Sequence, residues 1–196
     1  MLLFVDCCIS YRGDRSRSHA LCQAFLEEYK AAHPAQDIET VNLQRMALKP
    51  FDQFATDDRN SLRNVKAFDS PVFKLARQFK RADRIVIGAP LRDLTFPAML
   101  RVYIEYICVR ELTYHYENQV SVGDCMAEKL AYLSVSGGPE TEENLGVDYW
   151  RQLSQRFGIR EFHHVEAYGL DFVGADRSAE IMAEACEKAR RLARTF

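Results

Sequence analysis

The stretch that most limits what this chain can fold into is Ala82 to Leu100, ADRIVIGAPLRDLTFPAML. From Ile85 to Ala89 no polar residue interrupts the run, and it contains Val86 between two isoleucines. An unbroken apolar run of strand length suits a strand covered on both faces, as in the interior of a parallel sheet. Pro90 ends it, because proline cannot donate to a sheet ladder. A short loop follows, Leu91-Arg92-Asp93-Leu94-Thr95, and a helix is expected from about Pro97, where a missing N–H costs nothing. Strand, loop and helix in this order form half of a βαβ unit. The loop lies at the carboxyl edge of the sheet, where open α/β folds bind ligands.

The rest of the chain repeats this alternation. Leu2 to Ile9 reads as a first strand, broken only by Asp6, whose role the sequence leaves open. A polar segment, Ser10 to Ser18, precedes a helix over about 16–32 with Leu21, Cys22, Phe25 and Tyr29 on one face. Asp37 to Leu43 reads as the second strand. Gln44 to Ser70 has weak periodicity and is expected to hold short helical pieces over the sheet edge, followed by a helix end over 71–80. After the third strand and its helix (Leu100, Tyr103, Ile104 and Ile107 on one face), a small hairpin is expected around Glu117-Asn118. Lys129 to Ser136 is the fourth strand, ending in Ser136-Gly137-Gly138-Pro139. A helix over about 142–157 stops at Gly158, Glu161 to Tyr168 is the fifth strand, and Asp176 is expected to cap the last helix. Five strands alternating with helices, without repeat or linker, predict one α/β domain over 1–196. Its core is a doubly wound, five-stranded parallel sheet, order 2-1-3-4-5, with helices on both faces.

Composition excludes several classes. A formal charge of −2 gives no basic footprint for nucleic acid. No apolar run approaches the length of a membrane span, and MLLFVDCCIS lacks the basic start and cleavage site of a signal peptide, so a cytoplasmic protein is expected. The six cysteines form no CxxC or zinc spacing and read as reduced thiols. His163 and His164 are adjacent on a strand without a third ligand nearby, so no metal site is expected. Trp150 reads as core or dimer interface.

Three loops leave the carboxyl ends of the first, third and fourth strands beside the point where the strand order reverses. Ser10 to Ser18 suits a phosphate: serine hydroxyls and free N–H groups at a helix start donate to an anion, and Arg17 adds a fixed charge. A serine there could also be a simple N-cap. Neither GxxxxGK[ST] nor GxGxxG is present, so neither a P-loop nor a dinucleotide fingerprint is offered. The Gly137-Gly138 turn lets backbone approach a ring closely, and the third-strand loop could flank a ring through its N–H groups.

Ser10-x5-Ser16-Arg17-Ser18, then Ala89-Pro90-Leu91, Phe96-Pro97, Leu112 to Tyr116 and Ser136-Gly137-Gly138 together resemble the FMN-dependent NADH-azoreductases, which belong with the flavodoxin-like NAD(P)H:quinone oxidoreductases. The resemblance spans nearly the whole chain. It implies FMN as cofactor, its phosphate on Ser10, Ser16, Arg17 and Ser18. The isoalloxazine would lie between Pro90, Leu91, Arg92, Asp93 and Leu94 on one edge and Val135, Ser136, Gly137 and Gly138 on the other. It implies NAD(P)H as co-substrate, two-electron transfer to a quinone or azo acceptor in ping-pong order, and a homodimer. His115 and Tyr116 are candidate pocket residues. One departure is clear. The family's third-strand loop usually reads Pro, an apolar residue, an aromatic, Asn, Phe; here Arg92 replaces the aromatic and Asp93 the asparagine. Backbone donors would survive the change, whereas the charge of Asp93 beside an electron-rich ring is unfavourable unless it is paired, for instance with Arg92, so FMN affinity, potential or substrate preference is open to change. The competing functions are a flavodoxin-like electron carrier and a flavin-free binding protein on the same scaffold.

Overall fold

The computed structural model describes residues 1–8, 16–139 and 143–196. In chain order the elements are β1 (Leu2–Asp6), α1 (Arg17–Ala32), β2 (Ile38–Asn42), α2 (Gln53–Asn64), α3 (Lys74–Arg81), β3 (Arg84–Pro90), α4 (Ala98–Ile107), β4 (Tyr114–Glu117), β5 (Val120–Gly123), β6 (Lys129–Val135), α5 (Leu145–Phe157), β7 (Glu161–Ala167) and α6 (Ala175–Thr195). A 3₁₀ turn, Pro71–Phe73, leads into α3.

Five strands form one sheet in the order β2-β1-β3-β6-β7, every neighbouring pair parallel. This is the expected 2-1-3-4-5 order once the antiparallel pair β4–β5, a separate two-stranded sheet, is left out of the count. The chain enters at β1, in the interior, then places β2 on one side and β3 on the other. Connections therefore diverge at the carboxyl ends of β1 and β3, and a crevice opens there.

Alternate residues along the strands feed two separate cores, as a period of two requires. Leu3, Val5, Ile85, Ile87 and Leu130 join Phe79, Leu100, Tyr103 and Trp150, from α3, α4 and α5. Leu2, Phe4, Val86, Ala131 and Leu133 join Leu21, Phe25 and Tyr29 from α1 and Ala185 and Ala189 from α6. The small residues Ala185, Ala189 and Ala193, four apart, form the buried face of α6. Trp150 is fully buried and belongs to the core.

Several local expectations need correction. Asp176 does not cap the last helix; Gly174 is the N-cap and makes no side-chain cap bond, while Asp176 sits in the first turn and complements the helix dipole. The helix expected over 142–157 begins at Leu145, because Asn144 supplies the cap by accepting from Gly146 N–H at 3.0 Å; Glu142 lies outside the described residues. The hairpin turns at Asn118-Gln119, one residue later than expected, with both residues at positive φ, the conformation a two-residue turn needs to match strand twist.

Asp6, unexplained by the sequence, is buried at the end of β1. One carboxylate oxygen accepts from Cys8 N–H at 2.9 Å and the other from the Asn42 amide at 2.8 Å. It thus fixes the exit of β1 toward the polar segment and ties it to the exit of β2. Replacing Asp6 by Ala leaves the buried Cys8 N–H and the half-buried Asn42 amide without this partner and is expected to cost about 2 kcal/mol of stability, read as a lower urea midpoint with unchanged slope. An unaltered midpoint would refute this role.

Candidate functional site

The register of the sheet explains why distant segments meet. Pro90 and Val135 are paired at the ends of β3 and β6, so the loops after them start side by side. The N-terminus of α1 reaches the same edge. Together they enclose a cavity of about 320 Å³ lined by Cys8, Ser16, Arg17, Ser18, Pro90, Leu91, Arg92, Val135, Gly137 and Asp171. Eight of these are residues singled out from the sequence.

At the helix end, Ser16 is the N-cap: its hydroxyl oxygen accepts from His19 N–H at 3.3 Å. The simple-cap reading therefore holds for Ser16, yet Ser16 still faces the cavity. Ser18 is buried beside it. The N–H groups of Arg17 and Ser18, in the first turn, have no intrahelical acceptor and make no backbone bond among the described residues. Ser10 lies outside the described residues.

The loop after β3 is a tight two-residue turn. Arg92 N–H donates to Thr95 O at 3.3 Å and Thr95 N–H to Arg92 O at 3.0 Å, with Asp93 (φ 49°) and Leu94 (φ 66°) between them. Both central residues adopt the left-handed conformation, which non-glycine residues other than Asn and Asp seldom occupy. The turn is anchored from outside by Leu145 N–H, which donates to Leu94 O at 2.8 Å. Leu91 N–H is spent on Val135 O at 2.9 Å. The backbone donors left over in this loop, among the described residues, are therefore those of Asp93 and Leu94. The pairing with Arg92 that would offset the charge of Asp93 is not formed among the described residues. Adjacent positions in so tight a turn, both exposed, are better solvated separately.

After β6, Ser136 is buried and its hydroxyl oxygen accepts from Gly138 N–H at 3.0 Å, which shapes the glycine turn. The turn is zipped to the loop after β7: Gly169 N–H donates to Gly138 O at 2.7 Å and Asp171 N–H to Gly137 O at 3.1 Å. Asp93, Leu94, Ser136 and Gly138, singled out from the sequence, flank the cavity without lining it. Ser136 and Gly138 set the shape of the turn.

Two lining residues escaped the sequence reading. Cys8 follows β1 directly, and its Sγ lies 3.9 Å from that of Cys22. That contact, together with burial, holds the Cys8 thiol far above its usual value, so it is no thiolate nucleophile. Cys7, buried next to Asp6, is pushed up to about 12. Asp171 sits in the loop after β7 and accepts from Arg17 Nη2. A signal for it existed: β7 is parallel to the other strands, so its trailing loop must reach the same edge.

His115 and Tyr116 do not line this cavity. They belong to β4, where the His115 ring contacts Asp124 Oδ2 at 2.9 Å (Nδ1) and Glu117 Oε1 at 3.1 Å (Nε2). Asp124 first, then Glu117, raises the imidazole pKa above 6.5. Because the folded-state value lies above the unfolded one, this stabilisation is complete below pH 6.5 and fades as pH rises through the folded value. The thermal midpoint of His115→Gln is expected to fall below that of the unaltered protein in mild acid, and the gap to close at alkaline pH. A gap independent of pH would contradict the ion-pair account. Among the described residues, no three His, Cys, Asp or Glu side chains converge to hold a metal, and no helix is long and apolar enough to cross a membrane.

Comparison with known proteins gives a consistent answer. Residues 2–193 match a family model described as a flavodoxin-like fold. An FMN-dependent NADH:quinone oxidoreductase 2 of Clostridium acetobutylicum is 34% identical over 189 residues, covering 92% of each chain. An FMN-dependent NADH:quinone oxidoreductase of Clostridium perfringens is 30% identical over 200 residues, covering 100% of this chain and 98% of its own. Among solved structures, an azoreductase from Bacillus anthracis superposes with a TM-score of 0.84 at 28% identity, covering 100% of this chain and 99% of its own. On fold, site geometry and relatedness together, the chain belongs to the flavodoxin-like family of FMN-dependent NADH:quinone oxidoreductases and azoreductases.

Proposed function

We propose that this protein binds FMN in the cavity at the carboxyl edge and uses NAD(P)H to reduce a quinone or azo acceptor, two electrons at a time, in ping-pong order. The observation that supports this most is the convergence of the start of α1 and the loops after β3 and β6 on one cavity. The helix start offers a phosphate its donors, and the two loops offer a flat ring its walls.

The residues present fit the group. Arg17, Ser16, Ser18 and the free N–H groups of the first turn of α1 match a phosphate monoester. Pro90, Leu91 and Val135 offer apolar walls, and Gly137 has no Cβ to keep a ring away. When bound, FMN supplies the electron-transfer chemistry, and the protein supplies binding, orientation and electrostatics. In this reading the N–H groups of Asp93 and Leu94, which make no backbone bond among the described residues, would donate to an electron-rich ring edge. Donors fixed by a rigid turn need no reorganisation when charge develops. No side-chain acid or base is required of the chain itself.

We read residues 1–196 as one doubly wound domain, which the two cores on alternate strand residues support. A homodimer is part of the same reading. A groove of about 980 Å³ between α2, α4, β5 and α5 includes Phe51, Ile104, Val120 and Leu145. The Leu94–Leu145 backbone bond joins this groove to the edge of the cavity, so a second copy seated there would complete the site.

The test is direct. The purified protein is titrated with FMN, and NADH oxidation is then followed with and without a quinone. Saturable binding with quinone-dependent turnover supports the proposal. No binding at tens of micromolar FMN would overturn it, and binding without turnover would leave an electron carrier. Light scattering in solution tests the dimer, and a monomeric mass would remove it.

A further inference from the structure

We propose that Asp171 is a resident counter-anion of the phosphate site, so that a phosphate group binds only by displacing it from Arg17. The inference rests on the FMN reading above and adds an affinity threshold to that site.

Four observations place the carboxylate. Asp171 Oδ1 accepts from Arg17 Nη2 at 2.5 Å, across the cavity from the loop after β7 to the first residue of α1. Both residues line the cavity. The backbone of Asp171 is fixed, since its N–H donates to Gly137 O at 3.1 Å and the adjacent turn is held by Gly169 N–H on Gly138 O at 2.7 Å. The second oxygen, Oδ2, lies against the bare Cα of Gly137, so close that a Cβ built there would sit 2.0 Å from it. The carboxylate thus stands between the anion-binding end of α1 and the glycine turn.

The consequence is electrostatic. Unopposed N–H groups at a helix start, serine hydroxyls and a guanidinium would accept almost any phosphate. With Asp171 in place, an arriving phosphate exchanges one charge-assisted pair for another and meets the displaced carboxylate at short range. A ligand that brings only a phosphate gains little from that exchange. A ligand whose ring also packs against Pro90, Leu91 and Val135 has a further source of binding energy. Asp171 therefore lowers the affinity of every phosphate ligand by a similar factor, and only a ligand with ring contacts of its own still binds at low concentration.

The experiment measures FMN and riboflavin affinity by quenching of flavin fluorescence, with inorganic phosphate as competitor, for the unaltered protein and for Asp171→Asn. The variant is expected to bind FMN about tenfold more tightly, as expected when one charge-assisted pair no longer has to be broken. Riboflavin affinity should stay level, and phosphate should compete at a correspondingly lower concentration. The gain should shrink to less than about threefold in an Arg17→Ala background, because the two side chains are directly coupled. Equal or weaker FMN binding by Asp171→Asn, unchanged phosphate competition, or a full gain without Arg17 each overturns the proposal. Asp171→Ala, with a thermal melt of both variants, guards against a folding artefact. If the unaltered protein binds neither flavin, the FMN reading itself fails. If it binds both and the substitutions change nothing, only the role of Asp171 fails.

Discussion

Replacing Arg17 by Ala is expected to weaken FMN binding by about tenfold while riboflavin affinity stays within about threefold. A charge-assisted contact is worth roughly 1.5–3 kcal/mol and therefore about 10- to 100-fold in affinity. The Arg17–Asp171 pair that the phosphate must break offsets part of that gain, and the carboxylate faces the phosphate with or without Arg17. The expected loss therefore lies at the lower end. Ser16 and Ser18 remain, so the site is weakened and not abolished. Flavin fluorescence titrations with both ligands measure the ratio. Equal weakening of FMN and riboflavin would remove the phosphate from this corner of the cavity, because only FMN carries one.

The largest expected effect on stability lies far from the cavity. Gly123 ends β5, and a Cβ built there would sit 1.9 Å from the carbonyl carbon of Phe157 and 2.0 Å from the nitrogen of Gly158. The obstacle is backbone, which cannot swing away as a side-chain tip could. Opposite it, Gly158 ends α5 at φ 80°, a conformation that costs other residues a Cβ–carbonyl clash. Two glycines therefore meet back to back where the β4–β5 hairpin docks on the end of α5, and Cys125 N–H reaches Phe157 O beside them at 3.3 Å. Gly123→Ala is expected to cost about 3 kcal/mol, the upper part of the usual range for overpacking. For a chain of this size that is a fall in thermal midpoint of roughly 6–12 °C. A melt within two degrees of the unaltered protein would show that the hairpin simply shifts outward.

The fold was legible because its signals are local and periodic. The run from Ile85 to Ala89, the proline after it and the alternating helices are properties of neighbouring residues, and together they imply a parallel sheet. The strand order also followed, since few arrangements suit five parallel strands with one edge crevice. Local signals failed where two candidates compete over a few residues. Asp176 looked like a cap, yet the chain turns into the helix at Gly174. Asn144 was passed over because its value as a cap depends on Ser134 and Glu166, which its amide also reaches from two different strands.

The site was legible only in part, for the same reason. Ser16, Arg17 and Ser18 could be singled out, since a serine–arginine cluster opening a helix has a chemical meaning wherever it sits. Pro90 and Val135 could be placed, since they end neighbouring strands. The parallel run of β7 brings the Asp171 loop to this edge, but which of its residues matters lies in one contact across 154 residues of sequence. At Arg92 and Asp93 side-chain type says little about the loop, which closes as a tight turn with Asp93 and Leu94 in left-handed backbone.

The amino-acid sequence by itself determined the fold class of this protein, the order of its sheet, the edge at which its loops gather and the serine–arginine cluster at the start of α1. Those follow from hydrophobic period, from proline and glycine, and from fixed side-chain charge, all of which act over a few residues. Tertiary structure alone decided that Arg17 faces Asp171, that Leu91 has no N–H to offer while Asp93 and Leu94 do, and that the hairpin with His115 lies outside the cavity. Each of these depends on where two remote backbones come to rest within a few tenths of an ångström, a distance that close packing sets and local preference does not.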